Sequence, residues 1–102
     1  MTSSEFVDCK NLGPGTLVDV ETKNRHYQIE CLGGNAIRIS GHPEYCPTPV
    51  DGELQDVWDK EGVLEAGFIG QGRHLKFRVF DDHRPVTTTR VTRIRVQRPS
   101  IH

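Results

Sequence analysis

At 102 residues the chain is sized for one domain, here 1–102. Leu, Ile, Val and Phe total 26, above the roughly one-fifth share below which chains stay disordered. A net charge of −1 excludes a polycation that coats nucleic acid by charge alone, and no run approaches the roughly 18 apolar residues of a membrane span.

The opening Met1-Thr2-Ser3-Ser4-Glu5-Phe6-Val7-Asp8 lacks the basic and apolar parts of a secretory leader. Residues 1–12 are polar with scattered apolar positions and read as a loose arm or an early edge strand. Gly13-Pro14-Gly15 marks a turn. Period two then sets in. Val18 and Val20 face one way and Asp19 and Glu21 the other; Tyr27, Ile29 and Cys31 share a face, as do Ile37 and Ile39 with Arg38 opposed. Turns at Lys23-Asn24-Arg25 and Gly33-Gly34-Asn35 join these runs into an antiparallel meander. Residues 41–52 hold Pro43, Pro47 and Pro49 and are expected to be the longest loop, without regular structure.

Residues 53–66 fit two descriptions. Leu54, Val57 and Trp58 have helical spacing after a capping Asp51, whereas Asp59-Lys60-Glu61-Gly62 suits a type I turn between strands 53–58 and 63–69. The hairpin is preferred, because its surroundings are β and so short a helix is marginal. Trp58 has the same parity as Leu54 and is expected in the core. Gly67, Gly70 and Gly72 precede a strand, not a helix, so they suit a turn or a kink better than a phosphate cradle. Leu75, Phe77 and Val79 then alternate with Lys76 and Arg78, and 81–85 form a turn. Val91 and Ile94 in the run 87–97 are out of phase, which calls for a bulge near Thr92 or Arg93. The expected fold is all-β: a small single-domain antiparallel barrel of SH3-like size, or a compact sandwich, with six to seven short strands.

Charge is unevenly laid out. Residues 1–66 carry five Lys/Arg against twelve Asp/Glu, and residues 67–102 carry eight against two. Cross-strand pairing of Asp19 and Glu21 with Arg93 and Arg95 accounts for this if the first and last strands are neighbours. If the last two strands pair, Lys76, Arg78, Arg93 and Arg95 also gather on one outward face.

Three cysteines at wide spacing are no disulfide framework, so a reducing, cytoplasmic setting is expected. His42, Cys46 and Cys31 are of the residue types that bind zinc, and a Cys46–His42 pair could make a thiol nucleophile. No CxxC or protease signature accompanies them; Cys31 equally suits a small core residue and Cys46 an inert loop thiol. No cofactor is expected, with zinc the one candidate. The expected role is a non-enzymatic binding module. A protein partner is favoured over nucleic acid, no membrane is involved, and a small metal-dependent or thiol enzyme is the alternative. Arg78, Phe80, Arg93, Arg95 and Tyr45 are the candidate contact residues, since aromatics beside cations also stack single-stranded bases.

Overall fold

The computed structural model describes residues 2–3, 6–80 and 84–97. Every regular element among them is a strand: β1 (Thr2–Ser3), β2 (Phe6–Asp8), β3 (Leu17–Thr22), β4 (His26–Gly33), β5 (Ala36–Ser40), β6 (Val50–Leu54), β7 (Val57–Asp59), β8 (Gly62–Leu64), β9 (Phe68–Gly70), β10 (His74–Val79) and β11 (Val86–Gln97). Six of them, in the order β3-β4-β5-β6-β10-β11, form an antiparallel sheet that closes where β11 returns to β3. The fold is therefore a closed barrel, not a sandwich. Among the described residues no helix is long and apolar enough to cross a membrane.

Closure depends on β11. Its first part pairs with β10 (Phe77 opposite Val86, His74 opposite Arg90), and its second part pairs with β3 (Arg93 opposite Glu21, Arg95 opposite Asp19). The register slips between Val91 and Arg93, which is the bulge that the phase change requires. Val91 and Ile94 on either side thus both point inward. The buried Thr88 hydroxyl accepts from the Leu75 amide at 3.1 Å and donates to the Thr89 carbonyl, so no polar atom is stranded.

The barrel interior is filled by alternate residues. Val18, Val20, Ile29, Cys31, Ile37, Ile39, Leu54, Leu75, Phe77 and Ile94 are all buried, and Tyr27 meets Phe77 edge to face at 5.7 Å. β6 begins at Val50, so 50–52 belong to a strand and the loop is shorter than expected. All three prolines precede it, and Gly52 fits where β6 presses on β10: a Cβ there would collide with the Arg78 carbonyl oxygen.

Residues 6–8 take the edge-strand alternative. β2 pairs with β9 and carries Val7 into the core, and Cys9 is buried in the turn that follows it. The hairpin within 53–66 is present but shorter than expected, with β7 opposite β8 and the turn at Asp59-Lys60-Glu61-Gly62. The stretch 63–69 is split by a turn in which the Phe68 amide donates to the Glu65 carbonyl, and Gly67 takes a φ of 100°. The turn expected over 81–85 falls partly on 81–83, outside the described residues.

Candidate functional site

The β7–β8 hairpin lies between two barrel strands in sequence, but pairs with neither. Its inner face carries the cross-strand pair Val57 and Leu64, both buried; its outer face carries Trp58 opposite Val63, which are 76% and 44% exposed. The sequence expectation of a buried Trp58 is thus overturned. β6 ends at Leu54, and two consecutive polar residues, Gln55 and Asp56, shift the alternation by one. Val57 takes the inward place that an unbroken strand would have given Trp58. That polar pair was the available signal.

Two arginines clasp the hairpin. Arg73 meets Asp59 fork to fork, with Nε to Oδ2 at 3.0 Å and Nη2 to Oδ1 at 2.9 Å, and Nη2 also donates to the Gly62 carbonyl. Both side chains are about nine-tenths buried. The Arg73 guanidinium, as hydrogen-bond donor, holds the Asp59 carboxyl below the usual carboxylate range. Arg90 donates to the Gly72 carbonyl at 2.7 Å and reaches Glu61 at 3.4 Å. Sequence reasoning missed these clasps, because neither arginine is near the hairpin in the chain. Beside the hairpin lies a groove of about 440 Å³ lined by Asn35, Gln55, Asp56, Trp58, Ala66 and Lys76, among others.

The expected contact residues do not form one patch. Arg78 pairs with Glu53 of β6 and lies 5.8 Å from the centre of the exposed Phe80 ring. Arg93 and Arg95 sit on the half of β11 that faces β3, so the four outward cations do not cluster: β11 spends different segments on β10 and on β3. Tyr45 is half-buried, 4.8 Å from the His42 ring, with the Arg84 guanidinium 5.9 Å from its own ring.

His42 and Cys46 are joined through their backbones. The Cys46 amide donates to the His42 carbonyl at 3.0 Å, and the Gly41 amide donates to the Cys46 carbonyl at 2.8 Å. His42 Nδ1 accepts from the Glu44 and Tyr45 amides at 3.1 and 3.4 Å. The Cys46 thiol is buried, and burial pushes it above its ordinary range, the opposite of what activates a nucleophile. The neighbouring Cys31, and then burial, raise the Cys9 thiol above its ordinary range. All three thiols are free and buried, and among the described residues no three His, Cys, Asp or Glu side chains gather to hold a metal. Comparisons with protein-family models, with curated proteins and with solved structures found no match to this chain.

Proposed function

We propose that the chain is a non-enzymatic binding module that contacts a partner protein through the outer face of the β7–β8 hairpin. The observation that carries this reading is the exposure of Trp58, the sole tryptophan, beside a groove and on a hairpin whose other face is anchored. Exposed tryptophan at the centre of a patch is the side chain most enriched among residues that dominate protein interfaces. Val63 extends the apolar surface, while Gln55, Asp56 and Lys76 offer hydrogen bonds at its edge. The matching surface is a partner segment whose apolar side chain stacks on the indole, flanked by polar groups.

Charge pairing supports a protein over single-stranded nucleic acid. Arg73, Arg78 and Arg90 each contact a carboxylate, and Arg93 and Arg95 stand opposite Glu21 and Asp19, so acidic neighbours offset these five cations of the C-terminal third. The buried Cys46 thiol weighs against a thiol enzyme.

The test uses the full chain and a partner protein that it retains, purified and titrated. Trp58 emission is expected to be red-shifted in the free protein and to move to shorter wavelength as the partner binds. Trp58→Ala should weaken binding by about tenfold or more, while stability changes by no more than about 0.5 kcal/mol. Binding indifferent to Trp58→Ala, or emission already blue-shifted in the free chain, overturns the reading.

A further inference from the structure

A second pocket, of about 200 Å³, lies where the β3–β4 turn meets the loop after β5 and the start of β11. Asn24 and Arg25 line it from the turn, Tyr27 from β4, His42 from the loop, and Thr87 and Thr89 from β11. No acidic residue lines it; Glu44, whose charge acts on His42 along the loop, is outside the lining.

The turn is built to hold Arg25. The Thr22 hydroxyl accepts from the Arg25 amide at 3.1 Å and donates to its carbonyl at 3.2 Å, and the Thr22 amide donates to that same carbonyl at 2.8 Å. Arg25 and Tyr27 both line the pocket, and the phenol has a proton to donate. Arg38, Arg73, Arg78 and Arg90 each have a carboxylate within 4.0 Å; among the described residues Arg25 has none. His42 Nδ1 is occupied by two backbone amides, so the neutral ring carries its proton on Nε2 as a donor. Burial, and then the Arg25 charge, keep that ring neutral below the ordinary histidine range.

The geometry points to an anion-binding pocket in which Arg25, His42 Nε2–H, the Tyr27 hydroxyl and the Thr87 and Thr89 hydroxyls receive the phosphoryl group of a small molecule. Donors drawn from a turn, β4, a loop and β11 suit a tetrahedral group with oxygens on several sides better than a planar carboxylate, which one guanidinium satisfies. The volume exceeds that of a bare phosphate ion and leaves room for a short organic portion. Free phosphate and a small phosphomonoester share this chemistry.

The test titrates the isotope-labelled full chain with inorganic phosphate and, separately, with glycerol 3-phosphate, against sodium chloride at matched ionic strength, following backbone amides by NMR. Saturating shifts are expected at Arg25, Tyr27, His42 and the amides of 87–89. Arg25→Gln should weaken them by about tenfold or more, the equivalent of one charge-assisted hydrogen bond. Arg25 is exposed, so this variant should fold; Arg38→Gln, which removes an arginine that already has carboxylate partners, should leave the binding unchanged. Tighter binding of glycerol 3-phosphate supports a phosphorylated metabolite as ligand, and tighter binding of phosphate supports the free ion. Shifts reproduced by chloride, or phosphate affinity unaltered in Arg25→Gln, overturn the proposal.

Discussion

Glycines separate the places where this backbone is crowded from those where it is open. Gly52 lies between Ile37 of β5 and Val79 of β10, and an added Cβ would meet the Arg78 carbonyl oxygen, a backbone atom that cannot swing aside. Gly52→Ala is therefore expected to cost about 1–3 kcal/mol, the usual range for forcing an extra methyl into a packed site. Gly13→Ala meets nothing within 4 Å and should be neutral or slightly stabilising, by restricting the unfolded chain. Urea unfolding of both variants checks the contrast; equal effects would show that the β6–β10 approach is not limiting. In the sequence Gly52 looks like a loop residue, since it follows three prolines. What distinguishes it is a neighbour 26 positions away, and no local pattern carries that information.

At the scale of the hairpin, the same limit separates what could be read from what could not. The turn at Asp59-Lys60-Glu61-Gly62 was legible because its chemistry is local: the Asp59 carboxylate accepts from the Glu61 amide at 2.9 Å, and Gly62 takes a φ of 99°. The orientation of Trp58 was not, because it depends on where β6 stops. The clasp by Arg73 was not, because it crosses from the hairpin to the approach to β10. That clasp has a pH signature. The folded state holds the Asp59 carboxyl below its unfolded value of about 4. Its contribution is therefore complete above that value and is lost as pH falls through the lower folded one. Thermal melts of the wild type should fall steeply in that acidic window. Asp59→Asn should melt at a lower temperature at neutral pH and show a shallower acid dependence. Identical acid profiles for the two proteins would remove the clasp from the account. Since Asp59 adjoins Trp58, the variant should also weaken partner binding near neutral pH, where Asp59 is ionised in the wild type.

For the whole molecule, the lopsided charge of the sequence is the clearest record of the topology. Anions of the first two-thirds meet cations of the last third at each seam: Glu53 with Arg78 between β6 and β10, Asp59 with Arg73 and Glu61 with Arg90 at the hairpin, and Asp19 and Glu21 opposite Arg95 and Arg93 where the barrel closes. The alternating runs and the mid-strand bulge were legible because period two is a local property. The closing pair was anticipated only through charge. At that closing seam the pairs are cross-strand neighbours, and no Arg93 or Arg95 contact within 4.0 Å of a carboxylate is present among the described residues. Their attraction is therefore weak and screened, roughly 0.2–1 kcal/mol per pair at low salt. Arg93→Ala with Arg95→Ala should lower unfolding free energy by about 1 kcal/mol or less at low salt, with the difference fading as salt is added. Replacing both by Glu should destabilise further, because like charges would then face each other across β3 and β11. Urea unfolding of the three proteins at low and high salt decides the matter. A double-alanine variant more stable than the wild type would mean that these cations repel one another more than Asp19 and Glu21 attract them, and that an external anion must complete this face.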